Sequence, residues 1–274
     1  MSGVAKNDAT RVIITGASGR MGRMLMRAVT ESSAAILVGA TERAGSDAMG
    51  VDVGLLMGIA PQNLCVVDAL DHCAEADVII DFTAPTACLE HAQFAADHQM
   101  GFVIGTTGFD DAQMQSLRTI LSEQAVVMAA NYSVGVNLAL RLIEQAAQVL
   151  AADYDAEIIE AHHKHKVDAP SGTALAMGRA LAKGRDVSLT DVAVYAREGI
   201  TGPRESGSIG FSVIRAGNIV GEHTAMFAAD EERLEITHIA SDRMVFAKGA
   251  LRAALWLGDA KAGWYDMQDV LSLH

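Results

Sequence analysis

The stretch Glu160-Ala161-His162-His163-Lys164-His165-Lys166-Val167-Asp168-Ala169-Pro170-Ser171-Gly172-Thr173-Ala174 concentrates the side chains best suited to chemistry. His162, His163, Lys164, His165 and Lys166 all donate hydrogen bonds when protonated, in a chain whose formal net charge is -13. They form a local cationic patch that opposes the global field, suited to holding carboxylates and delivering protons. Directly downstream, Pro170-Ser171-Gly172-Thr173 reads as a helix start, whose first N–H groups make a second anion site. Together these features suit a ligand with two carboxylates. Two plainer readings compete. His162 and His165 as metal ligands lack an H-E-x-x-H frame, and Lys164 and Lys166 would repel a divalent cation, so no metal is expected. A solvated basic loop accounts for the charges but not for the helix start beside them.

A second locus is Gly16-Ala17-Ser18-Gly19-Arg20-Met21-Gly22, which follows the apolar run Arg11-Val12-Ile13-Ile14-Thr15 and opens a helical pattern. Glycines there permit a tight turn and let backbone N–H groups approach a pyrophosphate at a helix N-terminus. The spacing is G-x-x-G-x-x-G, with Ser18 where the commoner fingerprint has its second glycine, and alone it is weak. Its context strengthens it, because the next strand pattern ends in Glu42-Arg43. The acid can accept from ribose hydroxyls and the arginine can meet a 2′-phosphate, which predicts use of both NADH and NADPH. A glycine turn in a nucleotide-free fold is the competing reading. Further strand ends carry Phe82-Thr83, Gly105-Thr106-Thr107 and Ala129-Ala130-Asn131-Tyr132. In an open parallel sheet the ligand lies outside the carboxyl ends of the strands, so these are candidate contacts for the nicotinamide half.

The elements that must position these residues follow from hydrophobic period. Compact apolar runs at 11–15, 34–41, 77–83, 101–107 and 125–131 read as buried strands. Helical patterns at 20–30, at PTACLEHAQFAADH and at DDAQMQSLRTILSE separate most of them. Strand and helix in alternation predict an α/β, Rossmann-like, doubly wound parallel sheet. After a long helical segment at 134–150 the pattern changes. DAEIIEAHH reads as a strand and 171–183 as a helix. VAVYARE, SIGFSVIRAGNIVGEHTAMFA and RLEITHIA then follow as strands with no helix between them. This predicts a second α+β domain on a mixed, largely open sheet. The expected division is 1–133 for dinucleotide binding, 134–242 for substrate binding and oligomerisation, and 243–274 returning as a helical segment to the first domain. Hinges are expected near Asn131–Val134 and Ser241–Arg243.

Composition narrows the classes. Of 274 residues, 50% are apolar and 20% charged, enough for a sizeable core. The net charge of -13 disfavours nucleic acid. Three cysteines form no C-x-x-C pair, no apolar run is long enough for a membrane helix, and MSGVAKNDATR lacks a signal-peptide core. A soluble cytoplasmic protein is expected.

The segment E-A-H-H-K-H-K-V-D-A-P-S-G-T-A resembles the signature of dihydrodipicolinate reductases, E-[AIL]-H-x3-K-x-D-x-P-S-G-T-A. GASGRMG, DFT, GTTGF, AANYSVGVN, REGITG, GFSVIRAG, VGEHTAMF and ERLEITH are similar to that family's further motifs, in the same order, so the resemblance runs from Arg11 onward. It implies a two-domain enzyme, a homotetramer assembled through the second domain's sheet. The implied reaction is the NADH- or NADPH-dependent reduction of 4-hydroxy-tetrahydrodipicolinate to tetrahydrodipicolinate with loss of water, in diaminopimelate and lysine biosynthesis. His162 and Lys166 would be the proton donors, and His163, Lys166 and Ser171-Gly172-Thr173 would hold the substrate carboxylates. Gly16, Ala17, Ser18, Gly19, Arg20, Met21, Glu42, Arg43, Phe82, Thr83, Gly105, Thr106, Thr107, Ala129, Ala130, Asn131 and Tyr132 would line the cofactor. Tyr132 stands where some members have phenylalanine, and Ala84 where some have arginine. Two other classes fit parts of the pattern: a dehydrogenase of an amino acid or sugar, and a nucleotide-sensing protein without chemistry. The first lacks a use for paired carboxylate anchors, and the second has none for His162 and Lys166.

Overall fold

The computed structural model describes residues 9–73 and 75–273. The segment read as lacking a signal-peptide core lies, in its first eight residues, outside the described residues. Two compact units divide the chain. One holds the described residues up to Tyr132 together with Met244–Ser272, and the other holds Ser133–Arg243.

The first unit carries six strands: β1 (Thr10–Thr15), β2 (Ala35–Thr41), β3 (Val78–Asp81), β4 (Gly101–Ile104), β5 (Ala125–Met128) and, late in the chain, β11 (Gly263–Tyr265). They form one sheet in the order β11-β5-β4-β3-β1-β2, parallel throughout. Its helices are α1 (Arg20–Thr30), α2 (Val53–Met57), α3 (Pro85–Asp97), α4 (Asp111–Ile120), α8 (Met244–Leu257) and α9 (Met267–Leu271). Side chains alternate across a strand, so the sheet feeds two cores. Val12, Ile14, Val78, Ile80, Val103 and Val127 pack with Leu25, Met26 and Val29 of α1 and with Ala247, Ala250 and Ala254 of α8. Ile13, Ile79, Phe102, Ile104 and Val126 face the other way, toward Cys88, Ala92 and Ala95 of α3 and Leu117 of α4. Strands buried on both faces carry the continuous apolar runs seen in the sequence.

The second unit has α5 (Val134–Leu150), β6 (Asp155–His162), α6 (Gly172–Gly184), α7 (Leu189–Val192), β7 (Ala193–Val194), β8 (Ile209–Arg215), β9 (Gly221–Ala228) and β10 (Arg233–Ala240). Its sheet runs β10-β9-β6-β8-β7 and is mixed: β6 pairs parallel with β8 and antiparallel with β9. Ala156, Ile158, Phe211, Ala225 and Phe227 on one face pack with Ile143 and Ala147 of α5 and Met177 and Leu181 of α6. The alternate positions include Ile159, Ile214, Thr224, Met226, Thr237 and Ile239, with Ile214 at 48% and Ile239 at 59% exposure. VAVYARE, expected as a strand, contributes only Ala193–Val194, because pairing to β8 stops there.

Candidate functional site

The glycine turn sits between β1 and α1. Gly16 has φ +70°, and a Cβ on Gly22 would lie 2.1 Å from the Gly16 carbonyl oxygen, so neither position tolerates a side chain without rearrangement. Gly19 is the N-cap of α1 and gives its first turn no side-chain cap, and no acid stands in that turn. A helix start left this way is suited to a phosphate. Ser18 gives the turn a second task. Its hydroxyl donates to Glu42 Oε2 at 2.6 Å and its N–H to the same oxygen at 3.1 Å. Burial raises the Glu42 pKa, but these bonds and the Arg43 N–H outweigh it and hold the carboxyl below its ordinary value. The loop after β1 is thereby tied to the end of β2, which explains why serine serves in place of glycine.

A cleft of about 770 Å³ opens there, lined by Gly16, Ser18, Gly19, Glu42, Arg43, Phe82 and Thr83, and also by Ala84, Asp68, Asp71, Glu90 and His91. Among the described residues, Arg43 is the one arginine or lysine along its wall. Of the other expected cofactor contacts, Arg20 and Thr107 are exposed, Ala17 is buried, and Met21, Gly105 and Ala129–Asn131 range from partly buried to exposed outside the cleft lining. Two expected contacts also bond within the protein. Thr106 is 3% exposed and donates to Asp81 Oδ1 at 2.5 Å. Tyr132 is 2% exposed, and its hydroxyl donates to the carbonyls of Ile104 at 2.7 Å and Val127 at 3.1 Å. The hydroxyl that distinguishes it from phenylalanine therefore joins the ends of β4 and β5.

The sequence reading missed Asp81. Fully buried at the end of β3, it accepts from Thr15 Oγ1 at 2.8 Å, Thr83 Oγ1 at 2.9 Å and Thr106 Oγ1, and lies 2.6 Å from His91 Nδ1. Burial opposes its charge, but His91 and the threonine hydroxyls hold it below the usual carboxylate range. It organises the carboxyl ends of three strands.

In the second unit, β6 delivers Glu160 and His162 to the same face, two residues apart. His162 is 8% exposed, its Nδ1 is 2.5 Å from Glu160 Oε2, and its ring meets His223 edge-on at 4.9 Å. Arg215 at the end of β8 grips Glu160 with two bonds, 2.8 and 2.9 Å. Ser171 caps α6, accepting from the Ala174 N–H at 3.2 Å, while its own N–H donates to Glu160 Oε1 at 3.0 Å. Its hydroxyl also lies 3.0 Å from His223 Nε2. A Cβ on Gly172 would meet nothing within 4 Å, so space beside the helix start is open. Lys166 pairs with Asp168 at 2.9 Å. His163 lies beside Arg243, and burial with the charges of Arg243, His162 and His165 keeps it below the ordinary histidine value. Burial, then His162, pushes His223 down to about 4. Arg215 and His223 lie in the motifs GFSVIRAG and VGEHTAMF and Arg243 at the expected second hinge, but no local pattern ties them to the end of β6. Among the described residues, no three His, Cys, Asp or Glu side chains are grouped to hold a metal ion, and no helix is long and apolar enough to cross a membrane.

The family profile "Dihydrodipicolinate reductase, N-terminus" matches residues 10–132, and "Dihydrodipicolinate reductase, C-terminus" matches 135–271. A dipicolinate-bound dihydrodipicolinate reductase from Paenisporosarcina sp. TG-14 is similar with TM-score 0.73 at 23% identity, over 95% of this chain and 98% of that one. An amine dehydrogenase from Mycobacterium smegmatis is similar with TM-score 0.61 at 12% identity, over 93% and 94%. A myo-inositol dehydrogenase from Corynebacterium glutamicum gives 0.55 at 13%, over 97% and 93%. At these identities the three structures show a shared fold.

Proposed function

The chain belongs to the dihydrodipicolinate reductase family, and from that premise we propose how its residues divide the work. The activity is NAD(P)H-dependent reduction of 4-hydroxy-tetrahydrodipicolinate to tetrahydrodipicolinate with loss of water, in diaminopimelate and lysine biosynthesis. The bound nicotinamide supplies the hydride. The turn at Gly16–Met21 and the open start of α1 hold the pyrophosphate, Glu42 takes the ribose hydroxyls, and Phe82, Thr83, Gly105–Thr107 and Ala129–Asn131 line the remainder. Both NADH and NADPH are accepted, with Arg43 as the 2′-phosphate partner. No resident metal takes part, since lysines flank the histidines.

The substrate is a small cyclic dicarboxylate, a reading supported by dipicolinate in the Paenisporosarcina reductase. One observation carries the site assignment: His162 and the start of α6 hang on the same carboxylate, so a proton donor and a carboxylate-binding N-terminus stand side by side. His162 delivers the proton to the reduced ring. Lys166 supplies positive charge at a substrate carboxylate and assists the transfer, and His163 and the Ser171–Thr173 backbone hold the carboxylates. The half-exposed Ile214 and Ile239 support assembly of a homotetramer through the second sheet. The three cysteines are free, which suits a cytoplasmic location.

The test is NADH oxidation on adding the coupled product of pyruvate and aspartate semialdehyde. His162→Gln lowers turnover by about two to four orders of magnitude with little change in substrate affinity. Turnover within a few-fold of the parent would move the proton donor elsewhere.

A further inference from the structure

We infer that Glu160 is the positioning residue of this site: one buried carboxylate that fixes the tautomer of His162 and the place of the α6 N-terminus relative to it. The inference rests on the reading that His162 donates the proton and that the start of α6 binds a substrate carboxylate.

Glu160 is 1% exposed. Its Oε2 faces His162 Nδ1 at 2.5 Å and Arg215 Nη1 at 2.8 Å, and its Oε1 accepts from Arg215 Nη2 at 2.9 Å and the Ser171 N–H at 3.0 Å. These partners fill the acceptor sites of a carboxylate. Burial disfavours the ionised form, but Arg215, His162 and Ser171 outweigh it and keep the carboxyl below its ordinary range. An ionised carboxylate only accepts, so the proton between it and the imidazole sits on Nδ1, and exchange with a ligand takes place at Nε2. The Nε2 side is kept clear by Gly221, where a Cβ would come 3.2 Å from that nitrogen. Arg215 extends the arrangement, since its Nη2 also donates to the Asp168 carbonyl at 2.7 Å. The end of β6, the loop at Asp168 and the cap of α6 thus converge on one carboxylate.

The plainer account is that Glu160 merely neutralises Arg215 and satisfies a helix N–H. It predicts a stability loss and nothing specific to His162. The groups around His162 are Glu160 on β6, Arg215 on the paired β8, His223 on β9 and His163 beside it, with Lys166 acting on both His163 and His223, so a pH profile alone would be ambiguous. Nitrogen-15 NMR of the full chain reads the His162 tautomer directly and needs no activity.

In the parent, the neutral His162 ring should be the Nδ1–H tautomer, whose Nε2 takes up the proton that the imidazolium then hands to the substrate; in Glu160→Gln it should be a mixture, because the amide both donates and accepts. Glu160→Gln should lower kcat by about ten- to a thousand-fold and weaken pyridine-2,6-dicarboxylate several-fold. In the His162→Gln background it should change kcat by less than about three-fold while still weakening the inhibitor. An Nε2–H tautomer in the parent overturns the inference, whether or not the variant folds. So does a folded Glu160→Gln with unchanged kcat and tautomer, or kcat losses that simply multiply. Full turnover in His162→Gln sinks the proton-donor assignment instead, and leaves the tautomer measurement to decide the part played by Glu160.

Discussion

His91 Nδ1 lies 2.6 Å from Asp81 Oδ2, which places an imidazole of the cleft wall directly against a carboxylate with no solvent exposure. Thr15, Thr83 and Thr106 complete the shell, so this carboxylate holds the ends of β1, β3 and β4 in register. Its pKa is depressed. The stability it contributes is therefore complete above the ordinary carboxylate value and is lost as pH falls through the lower folded value. Asp81→Asn turns an acceptor site into a donor facing donors and should cost about 2–4 kcal/mol at neutral pH. Urea unfolding at a series of pH values should show that gap narrowing in acid. A gap independent of pH would remove the charge from the explanation.

Among the described residues, Arg43 is the one arginine or lysine lining a cleft that also presents Glu42, Asp68, Asp71 and Glu90. A 2′-phosphate entering there meets four carboxylates and one guanidinium, and Ala84 supplies no second cation. Removing Arg43 as Arg43→Ala should raise the Michaelis constant for NADPH by roughly tenfold and that for NADH by less than about twofold. Steady-state kinetics with each cofactor decides it. Equal losses would take Arg43 away from the phosphate.

His223 gives a second pH signature, in a higher window. Burial and His162 push it down to about 4, so the unfolded chain takes up a proton there before the folded chain does. Stability contributed by the neutral ring is complete above about pH 6.5, the ordinary histidine value, and drains away as pH falls toward 4. His163 and His238 are lowered too and act in the same direction. His223→Gln, which keeps a polar partner for Ser171, should cut proton uptake on unfolding in this window by roughly one. No change in the slope of stability against pH would show that His223 already titrates as in the unfolded chain.

Local pattern made some of this arrangement legible. The glycine turn and the apolar face that follows it give α1 as Arg20–Thr30, and the continuous apolar runs give the parallel strands. Glu160 and His162 share a strand, so the alternation of a β-strand already placed them on one face. What the sequence hid was built by partners far apart along the chain. β11 is three residues long and exists as a strand through pairing with β5. The role of Asp81 depends on Thr15 and Thr106, and that of Glu160 on Arg215, none of which announces its partner locally. Tyr132 follows a strand end, and nothing local shows that its ring is taken into the core, where a phenol needs carbonyl acceptors.

The start of α6 offers the cleanest separation of substrate from cofactor. Gly172 is exposed, has nothing within 4 Å of where a Cβ would stand, and follows a serine whose side chain already caps the helix. Gly172→Val should therefore fold, since no packed neighbour is displaced, and valine is a modest helix former at a first-turn position. What the isopropyl group takes is the open space a carboxylate needs to approach the backbone N–H, where the helix dipole favours negative charge. The Michaelis constant for substrate should rise by about ten- to a hundred-fold, as expected for losing one or two charge-assisted hydrogen bonds. Inhibition by pyridine-2,6-dicarboxylate should weaken in parallel, because it presents the same pair of carboxylates. NADH affinity, read from the fluorescence of the bound cofactor, should stay as in the parent. A folded variant that binds substrate and inhibitor normally would show that α6 does not hold a carboxylate. Loss of NADH affinity with inhibitor binding intact would assign the helix start to the cofactor instead.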